Sequence, residues 1–196
     1  MGFTRNRDNA VYGGDYRHLP SGLYVVQILR CTDNERPQHK KPPRFEFEYD
    51  IIQGEYKDFF KDEYENFASR STSAFWTGTF IQNYTGKSAG YMDALINRFE
   101  DGNPSFRYRD DGGRCFEGFK IVASIQAQEE ERNGYKNWRY RVMNTYSLKE
   151  AKAKIDEKGN PLRVYEDVEL IDVSKDATTK QRSSSSINIS DDDIQF

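Results

Sequence analysis

Apolar and polar residues alternate in several short segments of this chain, a pattern typical of β-strands with one buried face. The clearest segment is 44–52, where rings and aliphatic side chains alternate with acidic residues. The same pattern predicts strands at 23–32, 119–127 and 138–143, and residues 56–67 are predicted to continue in extended form. Asn133-Gly134, between the last two strands, is typical of a tight hairpin turn.

One segment has helical spacing instead. Tyr91, Leu95 and Phe99 recur every four residues, which predicts a helix over 91–99. The predicted order is therefore three strands, a helix and two strands. This order is typical of the OB-fold, so we expect a mainly all-β chain: a five-stranded Greek-key barrel with one helix between strands 3 and 4. A β-sandwich could hold the same strands, but the helix in the middle argues against it.

Composition divides the chain into five parts. We expect a polar N-terminal arm at 1–18, the barrel at 19–148 and a short extension at 149–173. Residues 174–190 are rich in serine and carry too little apolar surface to offset the entropy of ordering, which predicts a disordered linker. An acidic tip, residues 191–196, follows it.

The composition argues against several classes of protein. No apolar run approaches the roughly 18 residues of a membrane span, and the polar N-terminus has no secretory signal, so we expect a cytoplasmic protein. Cys31 and Cys115 lie far apart, and with His18 and His39 they lack the spacing of zinc ligands. We therefore expect reduced thiols and no metal or other cofactor.

The last six residues read Asp-Asp-Asp-Ile-Gln-Phe. An aromatic residue beside a free carboxylate suits a small apolar pocket with basic residues at its rim, and the aspartates would steer it there. The segment resembles the acidic tip of bacterial single-stranded-DNA-binding proteins, Asp-Asp-Asp-Ile-Pro-Phe, with Gln195 in place of proline. The resemblance implies that replication and recombination proteins bind here, through Asp191, Asp192, Asp193, Ile194 and Phe196.

A second resemblance covers residues 19–60. Leu-Pro-Ser-Gly-Leu-Tyr-Val-Val-Gln-Ile at 19–28 and Gly-Glu-Tyr-Lys at 54–57 are similar to motifs of a phage family of OB-fold single-stranded-DNA-binding proteins. The resemblance implies a protein of host cytoplasm that coats single strands during phage replication, recombination or repair. Whether the chain forms a homo-oligomer is left open.

Binding to single strands needs cations for the phosphates and rings for the bases. Cationic residues occur in three clusters near the predicted loops: Arg30, Lys40, Lys41 and Arg44; Arg107 and Arg109; and Lys136, Arg139 and Arg141. The candidate stacking rings are Trp76, Tyr84, Tyr135 and Trp138. A solvated strand face would explain Arg139 and Arg141 equally well. The net charge of -3 predicts modest, strongly salt-dependent affinity.

Two other functions stay open. The same barrel could be an adaptor or structural protein that binds only proteins. A metal-dependent nuclease could use Glu46, Glu48 and Asp50, which share one predicted strand face. No phosphate-binding glycine loop or nucleophile–histidine pairing is evident, so we expect no enzyme.

Overall fold

A computed structural model describes residues 18–35 and 41–173. The predicted arm up to residue 17, Lys40, the linker and the acidic tip at 191–196 lie outside the described residues. The described chain is mainly β. Five strands pair antiparallel in the order β3-β2-β1-β4-β5, and β3 approaches β5, so the sheet forms a nearly closed barrel. The strands are β1 (Gly22–Asn34), β2 (Arg44–Ile51), β3 (Thr79–Asn83), β4 (Lys120–Arg132) and β5 (Tyr135–Tyr146).

Three α-helices accompany the barrel in the described residues. The first, α1 (Phe59–Ala68), lies between β2 and β3, α2 (Ala89–Gly102) lies between β3 and β4, and α3 (Leu148–Ala153) follows β5. A helix was expected between β3 and β4, where α2 lies, but α1 was not expected, and the extended segment predicted at 56–67 is wrong because it contains α1. None of the helices in the described part is long and apolar enough to cross a membrane.

A buried carboxylate explains why α1 begins where it does. Asp50, which was predicted to face solvent, is only 5% exposed. It accepts backbone hydrogen bonds from Phe60 at 3.1 Å and Lys61 at 3.2 Å, two N–H groups that the first turn of a helix leaves unpaired. Sequence alternation could not reveal this contact, because β2 and α1 must both be formed before it exists.

Aromatic rings make up much of the core of the barrel. The alternating positions of β2 are buried as predicted, with Phe47, Tyr49 and Ile51 fully inaccessible. Phe60 of α1 packs edge-on against Tyr140 of β5 with ring centroids 5.7 Å apart. At α2, the Phe99 ring packs in the same way on Phe116, at 5.2 Å. The two helices therefore cover different parts of one core.

A bulge in β1 changes which side chains face outward. The pairing with β2 shifts between Ile28 and Arg30. Because a bulge reverses the alternation beyond it, Arg30 is exposed and Cys31 is buried. Strict alternation along the strand predicted at 23–32 would put Arg30 on the same face as Tyr24 and Ile28, and the bulge is the reason that it does not.

Residues 149–173 form part of the folded unit. A sixth strand, β6 (Val168–Asp172), pairs parallel with β4. The Ser124 hydroxyl donates to the Arg163 carbonyl at 3.0 Å. Val122 is buried with Tyr146 and Leu162 in a second small cluster. The outer side of β4 is thus covered by the chain that follows β5.

Candidate nucleic-acid interface

The outward side of β1, β2 and β3 forms one exposed surface. Strand register places Thr32, Glu46 and Ile81 side by side, with Arg30, Glu48 and Thr79 in the adjacent row. Ile81 is 55% exposed, so no helix covers the sheet at this position. We call this surface the open face; it consists of Arg30, Thr32, Asn34, Arg44, Glu46, Glu48, Thr79, Ile81 and Asn83.

Carboxylates engage both arginines of the open face. The Arg44 Nε donates to Glu46 at 2.8 Å, and Arg30 lies 3.8 Å from Glu48. Partial burial, the largest single effect, opposes ionisation of Glu46, but the hydrogen bonds from Arg44 and Asn34 and the charges of Arg44 and Lys41 together lower the pKa of that carboxyl. Lys41, from the same predicted cluster, is exposed nearby. The open face is therefore close to neutral; its Arg30 side chain is accessible, whereas that of Arg44 is only 15% exposed.

A second group of cations joins the end of the open face where β1 finishes. The Asp33 N–H donates to the Gly112 carbonyl at 3.1 Å, which ties the loop after α2 to β1. Arg107 and Arg109 lie exposed in this loop, and Arg109 is 3.9 Å from Asp111. The first two predicted clusters, far apart in sequence, are brought to the same end of the sheet.

The third group lies at the opposite end of β1. Because Gly22 pairs with Ile125 and β4 continues to residue 132, the β4–β5 hairpin extends beyond the start of β1. Its cations also have acidic neighbours: Lys136 with Glu129 at 3.7 Å, and both Arg139 and Arg141 with Glu130 at 3.4 and 3.1 Å. The hairpin includes Tyr135, whose side chain is not described.

The three predicted stacking rings whose side chains the structure describes, Trp76, Tyr84 and Trp138, are half-buried and already have partners. Trp76 Nε1 donates to two backbone carbonyls at 3.1 Å each. The Tyr84 hydroxyl donates to Asp33 at 2.7 Å, and burial together with this bond raises the pKa of Tyr84. Trp138 stacks on His18 with ring centroids 4.3 Å apart. Each ring would have to give up contacts to present both faces to bases.

Other rings, which sequence reasoning did not select, are more exposed. Phe75 is 68% exposed and Phe67 is 47% exposed, while Tyr64 and Tyr108 are both 39% exposed. Phe67 was missed because 56–67 was predicted as a strand. The one available signal for Phe75 was its position in a polar, Ser/Thr-rich segment beside Trp76.

The three carboxylates of the nuclease hypothesis do not converge. Asp50 is buried and accepts backbone hydrogen bonds at the start of α1, whereas Glu46 and Glu48 face outward to different arginines. Within residues 18–35 and 41–173, no three His, Cys, Asp or Glu side chains form a group that could hold a metal ion. The geometry therefore assigns structural contacts to these carboxylates.

Comparison with protein families and curated proteins assigns no function to this chain. Comparison with protein-family models finds no match to this chain, and no curated protein matches it. Functional inference therefore depends on the residues and geometry described above.

Proposed function

We propose that this protein binds single-stranded DNA through an OB-fold, with the open face as the path of the strand and without strong sequence preference. One observation carries the proposal: exposed cations lie around the β1–β2 loop at one end of this face, and a further group lies on the β4–β5 hairpin, beyond the opposite end of β1. These two loops border the ligand in OB-folds generally. The strand order, with α2 between β3 and β4, also suits an OB-fold.

The charge distribution supports binding that is modest and dependent on salt. Phosphates would have to compete with Glu46, Glu48 and Glu130 for the arginines beside them. The pair of Arg30 with Glu48 is exposed, and such pairs contribute only about 0–1 kcal/mol, so a phosphate can replace Glu48 there at little cost. Arg44 and Glu130 are each only 15% exposed, so phosphates would displace their partners less readily. Each phosphate bound by a cation releases counterions, which makes affinity fall as salt rises.

The acidic tip extends the proposal to protein partners. Its resemblance to the tip of bacterial single-stranded-DNA-binding proteins supports recruitment of replication or recombination enzymes by Asp191–Phe196. A linker before the tip would raise the local concentration of a recruited enzyme at the DNA. In this proposed function, the protein coats exposed single-stranded DNA during phage-type replication or recombination in the host cytoplasm. It is not itself an enzyme.

The direct test is fluorescence anisotropy with the full chain and labelled oligo-dT at low and moderate salt, beside a duplex of equal length. We expect binding to oligo-dT that is tighter than to the duplex and weakens steeply with salt. No binding to either DNA at low salt would contradict the proposal.

The second candidate is an adaptor with the same barrel that binds proteins alone. The observation in its favour is the pairing of Arg30, Arg44, Arg139 and Arg141 with carboxylates. Under this alternative, oligo-dT leaves the emission of Trp76 and Trp138 unchanged at low salt. Loss of labelled DNA on adding magnesium would instead favour the nuclease.

A further inference from the structure

The middle of the open face carries carboxylates. Glu46 and Glu48 lie on β2, which has β1 on one side and β3 on the other. Their charge repels phosphates, so the backbone of a strand that crosses here is expected to lie away from the sheet and its bases toward it. In OB-folds generally, the face formed by strands 2 and 3 binds the ligand. The polar groups of this face therefore bear on which bases are held.

The two carboxylates are equally accessible but differ in their partners. Glu46 and Glu48 are 37% and 39% exposed. Glu46 accepts hydrogen bonds from Arg44, with Nε at 2.8 Å, and from the Asn34 side chain. No described residue donates a hydrogen bond to Glu48, because Arg30, at 3.8 Å, is too distant for one. Glu48 is thus the carboxylate of the open face whose oxygens are free to accept.

Apolar side chains lie close to Glu48 on the same face. Leu29 is the extra residue at the bulge of β1, next to Arg30, and is 46% exposed. Ile81, 55% exposed, lies in the row beside that of Glu48, about 7 Å away along the strands. The flat face of a base can rest on such side chains, which removes apolar surface from water, while its edge meets Glu48.

The bases differ in what they offer to a carboxylate. An ionised carboxylate only accepts hydrogen bonds and has two oxygens for them. Guanine presents two parallel donors on its pairing edge, the N1–H group and the N2 amino group, which match these two oxygens. Thymine presents one N–H group there, and cytosine and adenine present one amino group each. Because a single strand leaves these edges unpaired, guanine satisfies Glu48 most completely.

DNA binding itself increases the need of Glu48 for donors. The Arg30 side chain is 64% exposed, so a phosphate can draw it away from Glu48. A strand that covers the face also removes water from the carboxylate. A charged acceptor that loses its partners in this way costs free energy unless new donors replace them. A base with two N–H groups supplies them directly.

We propose that Glu48 is a specificity-determining residue of the open face and that its carboxylate accepts two hydrogen bonds from the pairing edge of an unpaired guanine. The proposal rests on the proposed function, because it names the base that the same surface prefers. The preference concerns one nucleotide within a path that otherwise accepts any base, so it adds a modest bias and no strict sequence requirement.

The test uses the full chain and fluorescence anisotropy with two labelled oligonucleotides of equal length. In one, guanine alternates with thymine, and in the other, inosine replaces every guanine. Inosine keeps the purine ring, O6 and the N1–H group and lacks only the amino group at N2. We expect the natural protein to bind the guanine strand about fivefold more tightly than the inosine strand, the effect of about one additional hydrogen bond.

Two variants assign this ratio to a residue. Glu48→Gln leaves one acceptor oxygen beside an amide that donates, so we expect equal affinities for the two strands. Glu46→Gln is the matched control, because it makes the same change of charge on the same strand and face at a carboxylate that Arg44 already engages. It should keep the fivefold ratio. Each ratio compares two strands on one protein, so a general change in affinity does not alter it.

The outcomes separate this proposal from the broader one. If the natural protein binds both strands equally well, the guanine proposal is refuted and the proposed function stands. A ratio that persists in Glu48→Gln, or one that Glu46→Gln abolishes as fully, also refutes it, because the preference then does not arise at the Glu48 carboxylate. If neither strand binds at low salt, the proposed function fails, and this proposal fails with it.

Discussion

Glu130 accepts a hydrogen bond from Arg141 at 3.1 Å, across the strand pair that forms the β4–β5 hairpin. The same carboxylate lies 3.4 Å from Arg139, so one acidic side chain neutralises two of the cations proposed to hold DNA. Glu130 is 15% exposed and the arginines are far more accessible. A phosphate can therefore approach the arginines from solvent, but it must compete with Glu130 for them.

Replacing Glu130 with glutamine should tighten DNA binding. The amide keeps the size of the side chain but frees positive charge at Arg139 and Arg141. We expect about threefold higher affinity for oligo-dT at low salt, in line with the small energies of exposed ion pairs. Glu157→Gln, an exposed site after α3, is the matched control for net charge. Equal increases in affinity for the two variants would show that the change in net charge causes the effect, and not the contacts of Glu130 with Arg139 and Arg141.

Gly78 should tolerate no side chain. A Cβ at this position would lie 2.4 Å from the Tyr49 carbonyl oxygen and 2.8 Å from the Phe60 ring. We expect Gly78→Ala to lower the free energy of unfolding by about 2 kcal/mol or more through overpacking, measured by urea denaturation.

Gly90 provides the matched control for this substitution. It lies in α2, and a Cβ there would meet nothing within 4 Å. Since alanine favours a helix over glycine, we expect Gly90→Ala to raise stability by up to about 0.5–1 kcal/mol. A loss of stability as large as that of Gly78→Ala would mean that contact at Gly78 is not the cause.

Glu63 should make stability depend on pH. Burial raises the pKa of this carboxyl, and the hydrogen bond from Thr77 offsets only part of the effect. The folded state therefore holds the proton more tightly than the unfolded chain, and stability is lost as pH rises from 4.5 through the raised pKa. Glu63→Gln does not titrate, so its stability relative to the natural protein should increase from about pH 4 to about pH 7.

Urea denaturation at the two pH values measures this difference. Glu65→Gln serves as the control, because it removes an exposed carboxylate from the same helix. A relative stability of Glu63→Gln that stays constant across this range would show that the Glu63 environment does not resist ionisation.

Removal of residues 191–196 should strengthen DNA binding at low salt. The three aspartates lie outside the described residues, but a tethered acidic segment can compete with phosphates for cations. We expect tighter binding of oligo-dT by the shortened chain at low salt, and nearly equal affinities at high salt because charge is screened. Equal affinities at low salt would contradict the hypothesis.

The success of sequence reasoning varied with the range of the contacts involved. The two-residue alternation of β2 correctly identified Phe45, Phe47 and Tyr49 as core, since burial of one strand face is a local pattern. The same reasoning wrongly predicted an extended segment at 56–67, because the closely spaced rings and charges there suit either a strand or a helix. The deciding contact, from Asp50 to the backbone of α1, joins separate elements.

The candidate site shows the same limit. Sequence located the cationic clusters, but not the carboxylates that oppose them. Glu130 meets Arg139 and Arg141 only through the register of β4 with β5. The exposure of Phe75 depends on how the segment between α1 and β3 packs, which the sequence shows only as a polar, Ser/Thr-rich stretch.

The parallel pairing of β6 with β4 has a practical consequence for anyone who wishes to express a shorter version of the protein. A fragment ending at residue 148 would lack the cover over Val122 and the hydrogen bond to Ser124. It would also leave the outer edge of β4 unpaired. An unpaired strand edge promotes pairing between molecules, which leads to aggregation in inclusion bodies. A fragment meant for crystallisation should therefore run at least to Asp172.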